Sequence, residues 1–488
     1  MIDRSYQPQL IQAARLKLRE ITQRLTEQGI TRKPRLMVQL AAGGGKTRLS
    51  GMIAERVIAN GGSVAFLCDR GYLLDQTSLT YKAMGIRHSF LAAGRPLNPS
   101  PSMKTYIGMM GSMRKRQPLI NAPTHCFVDE AHHSVAKSWK AVIEAWPNTT
   151  FIMLSATPGA RSDGRGLEEI CDDIVCGPQI SELIAIGALS DFRWLQGVPP
   201  AELLNLRKIA GEYSAGQQAE ILDKPVIIGN LVDTYRKHVM GKTAAYFLPN
   251  VKTSEDTAEA FRSAGLPFAH MDAETPEWKR KQIAKALARG ELLGATNVNL
   301  MGEGYDLAAQ AGMDVTIEVT GLGSKTASFP RLQQRVGRCM RPKNGPGYIL
   351  DHTGNYDEHQ WLPTDHIDWS LSGEVRKPKE IKAIVCPHCL FTGYPQNHVC
   401  TNCGGNVTET LRAAAERQQI EIIEGELAEI ARADHEASKV AATLDRKRTI
   451  ASLTRAEEII AYGERMGYKK GWAKKLIEVK RERGRLVA

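Results

Sequence analysis

No stretch of this 488-residue chain approaches the ~18 consecutive apolar residues of a membrane-crossing helix, so no transmembrane segment is expected. The opening Met1-Ile2-Asp3-Arg4 lacks the apolar core of a secretory signal, which predicts an intracellular protein, as in a phage or its bacterial host cytoplasm. There is no low-complexity tract and no internal repeat beyond two halves with similar α/β patterning. No convincing nuclease constellation of carboxylates and lysine stands out. What remains is the composition of an ordinary globular protein, 42% hydrophobic and 24% charged, long enough for about three domains.

Against that background one loop carries chemistry. Arg35-Leu36-Met37-Val38-Gln39-Leu40 reads as a buried strand, and Leu49 to Ala59 carry apolar groups at helical spacing. Between them lie Gly43, Gly44, Gly45, Lys46 and Thr47. Strand, glycine loop and helix are the context of a phosphate-cradling loop. The glycines let backbone N–H groups converge on phosphate oxygens, and the helix N-terminus adds partial positive charge. Lys46 is expected to reach the β- and γ-phosphates of a nucleoside triphosphate, and Thr47 to ligate Mg²⁺. The strict spacing fails at its first glycine, where Leu40 stands.

A second short strand, His125-Cys126-Phe127-Val128, ends in Asp129 and Glu130. Acidic residues at the carboxyl end of a parallel strand face the ligand crevice. Asp129 is the candidate Mg²⁺ holder through coordinated water, and Glu130 the candidate base for the attacking water. Both motifs in this order predict Mg-ATP hydrolysis.

With these motifs in place, residues 1–355 resemble superfamily 2 helicases and translocases of the DEAH type, in motif order. Arg4-Ser5-Tyr6-Gln7 looks like the adenine-reading element, with Gln7 on the base. Phe66-Leu67-Cys68-Asp69-Arg70 and Leu73-Leu74-Asp75-Gln76 resemble motif Ia, which touches the nucleic-acid backbone. Ser155-Ala156-Thr157-Pro158 resembles motif III, with Ser155 and Thr157 coupling the ATP site to the strand-binding face. Gly294-Ala295-Thr296-Asn297 and Gly302-Glu303-Gly304-Tyr305-Asp306 resemble motif V, implying nucleotide contacts for Gly304 and Asp306. Gln334-Arg335-Val336-Gly337-Arg338-Cys339-Met340-Arg341 matches motif VI at every fixed position. Arg338 and Arg341 are three residues apart, which would put them on one helix face with Arg335. A guanidinium from a second domain stabilises transition-state charge on the γ-phosphoryl group, so Gln334, Arg338 and Arg341 join Lys46, Asp129 and Glu130 as candidate catalytic residues. Motif Ib departs from the family: Tyr106 to Met113 carry methionine or glycine where Thr and Gln usually stand. Motif IV, near Tyr246-Phe247-Leu248-Pro249, is faint.

The fold class expected is α/β, with two tandem RecA-like parallel-sheet domains followed by a Cys₄ zinc ribbon and a helical C-terminal region. The boundaries read as residues 1–190 (ATP-binding), 191–224 (connector), 225–356 (second RecA-like domain), 357–384 (linker), 385–405 (zinc ribbon) and 406–488 (basic, helical). Cys386, Cys389, Cys400 and Cys403 form two C-x₂-C pairs, which suit a closed structural Zn²⁺ site. Two disulfides are the alternative, disfavoured inside a cell. Residues 405–445 read as a long helix. Net charge is +11, and residues 446–488 hold thirteen Lys or Arg against five Glu. This tail is either a phosphate-backbone contact or a solvated helix surface. Tyr462, Tyr468 and Trp472 among its lysines stack on bases or fill a small helical core.

The resemblance implies an ATP-dependent helicase or translocase, with DNA favoured over RNA as partner because Asp129-Glu130-Ala131-His132, Gly302-Glu303-Gly304-Tyr305-Asp306 and the Gln334 that opens motif VI resemble repair helicases and restriction motors. An RNA helicase and the motor subunit of a restriction or defence complex are the rivals, and a zinc-ribbon adaptor with inactive ATPase a third. A protein partner through the zinc ribbon or C-terminal helices is also expected, and no membrane.

Overall fold

The computed structural model describes residues 4–97, 102–134, 136–158, 166–196, 199–209, 211–302, 307–372, 384–385, 392–393, 428–429, 453, 455–465 and 472–482. The chain divides into two compact units, residues 1–377 with 416–429 and residues 378–415 with 430–488.

The first unit is built on two sheets, each the heart of one lobe. In the first lobe β1 (Arg35–Gln39), β2 (Val64–Cys68), β3 (Ser89–Leu91), β4 (Thr105–Met109), β5 (His125–Val128), β6 (Thr150–Ser155) and β7 (Asp173–Cys176) lie in the order 3-4-2-5-6-1-7, every pairing parallel. These strands are almost continuously apolar because both sheet faces are covered. Leu36, Val38, Phe66, Phe127, Ile152 and Leu154 face one core, and Met37, Ala65, Leu67, Val128, Phe151 and Met153 the other, the alternation of a pleated strand. Helices α1 (Tyr6–Glu27), α2 (Lys46–Ala59) and α3 (Gly71–Ala83) supply apolar residues to the first core, and α4 (Met110–Arg116) and α5 (Lys137–Glu144) to the second; α6 (Ile180–Ala185) follows β7.

The second lobe begins at β8 (Phe192–Gln196), inside the expected connector. Phe192, Trp194 and Leu195 are buried there, and β8 pairs in parallel with a late strand of the second sheet. A hairpin of β9 (Lys208–Ile209) and β10 (Glu212–Tyr213) precedes α7 (Ala215–Leu222) and α8 (Pro225–Val239). Then come β11 (Ala244–Phe247), α9 (Val251–Ser263), β12 (Phe268–Met271), α10 (Glu277–Ala288), β13 (Gly294–Asn297), α11 (Leu307–Ala311), β14 (Val319–Leu322), α12 (Phe329–Val336), β15 (Gly347–Asp351) and α13 (Asn355–His359). The parallel order is 12-13-11-14-15-8. The faint motif IV is thus the C-terminal end of β11, a central strand. Asn297 of motif V donates to the Tyr246 carbonyl (2.9 Å) and accepts from the Met301 N–H (3.1 Å).

Residues 361–372 do more than link. They run back over the first lobe, where the Leu167 N–H donates to the Leu371 carbonyl and Gln179 exchanges hydrogen bonds with the Ile367 backbone. Trp361 is buried edge-on to Trp194 and Phe329.

In the second unit β16 (Ile384–Val385) and β17 (Thr392–Gly393) pair antiparallel. Cys386, Cys389, Cys400 and Cys403 lie outside the described residues. Returning to the first unit, β18 (Ala428–Glu429) adds antiparallel to β8. A helix was expected there, but an open sheet edge presents unpaired N–H and C=O groups that capture extended chain. In the second unit α14 (Ala456–Arg465) packs against α15 (Trp472–Glu482). Tyr462 is buried, and Lys480 Nζ donates to the Leu453 carbonyl (2.6 Å), so these two tail residues serve the hairpin core. Tyr468 lies outside the described residues.

No helix among the described residues is long and apolar enough to cross a membrane.

Candidate active site

The loop after β1 enters α2 through Gly45, whose φ of 86° is left-handed and strained for any side chain. Its carbonyl, and that of Gly44, accept from Gln7 Nε2 at 3.4 and 3.2 Å, and the Tyr6 hydroxyl donates to the Gly44 carbonyl at 2.6 Å. Gln7 is therefore a buried brace of the phosphate loop. Leu40, standing where the pattern wants glycine, is fully buried in the first core.

Lys46 Nζ reaches Glu130 Oε1 at 3.2 Å. Burial works against its charge, but the carboxylates of Glu130 and Asp129 outweigh that and raise its pKa. Burial pushes the Asp129 carboxyl up, with Lys46 pulling the other way. Glu130 takes a left-handed backbone (φ 47°), unusual for a non-glycine residue, and its N–H donates to Asp129 Oδ1 at 3.0 Å. Beyond it, His132 Nδ1 lies 3.5 Å from Glu130 Oε2 and 3.2 Å from Ser155 Oγ, and Ser155 Oγ accepts from the Thr157 N–H at 3.1 Å. A line of contacts thus runs from Glu130 through His132 to Ser155 and Thr157, hydrogen-bonded from His132 onward. His132 is the link in that line, and sequence reading gave it no role.

The second lobe closes the site. One cavity of about 280 Å³ is lined by Gly43, Gly45, Lys46, Thr47, Asp129 and Glu130 from the first lobe and by Gly302, Gln334, Gly337, Arg338 and Arg341 from the second. Arg338 is near enough that its charge opposes that of Lys46, and its Nη2 donates to the Gly302 carbonyl at 2.9 Å. The side-chain amide of Gln334 is buried yet makes no hydrogen bond among the described residues. A buried donor and acceptor left open at a cation-lined cavity suits a polar, anionic occupant. Gly304 and Asp306 lie outside the described residues.

The arginines differ from expectation in one respect. α12 ends at Val336, and Arg338 and Arg341 sit in the turns after Gly337, not on a helix face. Arg335 does not join them: it is buried, donating to the Ser324 carbonyl (3.2 Å) and lying over the Phe247 ring (5.3 Å). Leu73 and Gln76, expected on nucleic acid, line the cavity with Arg4, while Asp75 pairs with Arg95. Met110 and Met113, from the aberrant motif Ib, are buried in the second core of the first lobe.

Residues 1–160 match the family model described as type III restriction enzyme, res subunit. A 51.5 kDa protein of a Lactococcus phage is 28% identical over 396 residues, which is 79% of this chain and 82% of that protein. The putative ATP-dependent helicase IRC3 of Saccharomyces cerevisiae is 23% identical over 48% of this chain, and the putative helicase 22 of a Sulfolobus islandicus filamentous virus 24% identical over 50%. The chain spans only 34% and 44% of those two relatives.

Proposed function

We propose that this chain, which belongs to the superfamily 2 helicases, couples hydrolysis of Mg-ATP to movement along DNA or separation of its strands. The observation that carries the reading is the single cavity with a phosphate loop and two carboxylates on one wall and two guanidiniums on the other.

The roles follow from the side chains. The loop amides of Gly43 to Gly45 cradle phosphate oxygens, and Lys46, released from Glu130 by the incoming charge, pairs with the β- and γ-phosphates. Thr47 and Asp129 are the residues that would hold Mg²⁺, which neutralises charge on the phosphate oxygens when bound. Glu130, freed of Lys46, takes the proton of the attacking water. Gln334 orients that water, and Arg338 and Arg341 stabilise charge on the transferring phosphoryl group. Gln7 reads the base through its position against the loop, Gly304 and Asp306 belong to the nucleotide contacts, and the Glu130–His132–Ser155–Thr157 line passes the state of the site to the strand-binding face. The four C-x₂-C cysteines are assigned a structural Zn²⁺; elemental analysis giving one zinc per chain, released with loss of the C-terminal unit's melt, tests it.

DNA is favoured over RNA on the motif resemblances. ATPase assays with single-stranded DNA, duplex DNA and RNA in parallel, then strand displacement on tailed duplexes, test the reading: stimulation by RNA alone overturns the DNA assignment, and no stimulation by any nucleic acid overturns the motor. The restriction-subunit match favours one second reading, the motor of a restriction or defence complex, which predicts co-purification with a nuclease or methylase chain.

A further inference from the structure

The polypeptide passes from the first lobe to the second through Ala188, Leu189, Ser190 and Asp191, between the turn after α6 and the start of β8. That short passage is fastened to the arginine turn. The Ser190 N–H donates to the Met340 carbonyl at 2.9 Å. The Ser190 hydroxyl donates to the Arg341 carbonyl at 3.0 Å and accepts from the Lys343 N–H at 2.9 Å. One residue on, the Asp191 carbonyl accepts from the Gly347 N–H at 2.7 Å, at the head of β15. On its other side Leu189 is against the phosphate loop, since a Cβ built on Gly43 would lie 3.1 Å from Leu189 Cδ2 and 3.9 Å from Arg341 Cγ. Phosphate loop, inter-lobe passage and arginine turn therefore meet at one place, with Ser190 itself buried.

We infer that Ser190 is a positioning residue for hydrolysis: its hydroxyl fixes the turn that presents Arg341, and Leu189 registers that turn against the phosphate loop. This rests on the proposed role of Arg341. The chain entering the second lobe has no slack between Leu189 and the Arg341 carbonyl, so the arginine's place relative to the loop is set where the lobes join. The backbone bond from the Ser190 N–H to Met340 survives loss of the hydroxyl, so the turn should loosen without the lobes coming apart.

The test is a double-mutant cycle on the full-length protein, reading steady-state ATPase at saturating nucleic acid. Ser190→Ala is expected to lower kcat ~10-fold, the factor that corresponds to about 1.4 kcal/mol of lost transition-state stabilisation, with the KM for ATP within ~2-fold. Ser190→Thr keeps the hydroxyl and is expected to retain at least half the wild-type kcat. Combined with Arg341→Ala, Ser190→Ala should add less than ~2-fold, because residues acting through one group are not additive. Multiplying effects, an unchanged kcat in Ser190→Ala, or a Thr variant as slow as Ala would overturn the inference while leaving the motor reading intact. An Arg341→Ala protein hydrolysing at the full rate would instead overturn the arginine assignment on which it rests.

Discussion

Gly337 lies directly against the phosphate loop, across the gap between the two lobes. A Cβ placed on it would lie 2.9 Å from Ala42 Cβ in the phosphate loop, against 3.2 Å from the Gln333 carbonyl in its own helix turn. Carbon atoms rest at ~3.5–4.0 Å, so Gly337→Ala should push the lobes ~0.6–1 Å apart at this point. The backbone imposes no separate penalty, because Gly337 has φ −58° and ψ −14°, which alanine adopts freely. The substitution is therefore a nearly pure spacer, placed one residue before Arg338. A misplacement of ~1 Å at a reacting centre costs on the order of 10²-fold, so kcat is expected to fall ~10- to 100-fold. Overpacking at this contact costs about 1–3 kcal/mol, partly offset by the ~0.4–1 kcal/mol that alanine gains over glycine in chain entropy, so the melt should shift modestly and stay cooperative. Removing the opposing methyl with Ala42→Gly in the same protein should restore most of the rate. The assay is nucleic-acid-stimulated ATPase with a parallel melt. An unchanged kcat in Gly337→Ala, or a slow variant that Ala42→Gly does not relieve, would refute the claim that closure at this contact sets the arginines.

Lys46→Ala should reduce ATPase by ~10²-fold or more while circular dichroism and a cooperative melt persist; retained activity would reject the phosphate-loop assignment. His352, at the end of β15, has its pKa lowered to about 3 by burial and then by repulsion from His238. It is thus neutral in the fold, whereas the unfolded chain takes up the proton below about 6.5. Its contribution to stability is intact above about pH 6.5 and is lost at ~1.4 kcal/mol per pH unit as pH falls toward about 3. His352→Phe should flatten that dependence in urea melts between pH 7 and 4; an unchanged slope would refute it.

The site was legible where chemistry demands a residue type at a fixed backbone position. Gly45 needs a left-handed φ, Asp129 and Glu130 must follow a strand, and Arg338 and Arg341 line the same cavity as the loop. The two-sheet class was legible too, because strands such as Phe66-Leu67-Cys68 are apolar on both faces. Burial of charge was not legible. Arg335 reads as one more cation of its motif, and only the Ser324 carbonyl and the Phe247 ring show why it is inside. Helical spacing misled at Arg338, because Gly337 ends the helix one residue earlier. The return of residues 361–372 to the first lobe left no pattern to read: Trp361, Ile367 and Leu371 follow neither a strand nor a helix period, and tertiary contacts alone organise them.

That returning segment has a mechanical consequence. With the passage at Ser190 it pins the lobes at two points, as two barrels hold a door. Opening of the gap about the line through them would leave both fastenings in place. Straight separation or free swivel would have to break the Ser190 and Gln179 hydrogen bonds, so under the proposed motor reading a rocking of one wall against the other is the less costly movement.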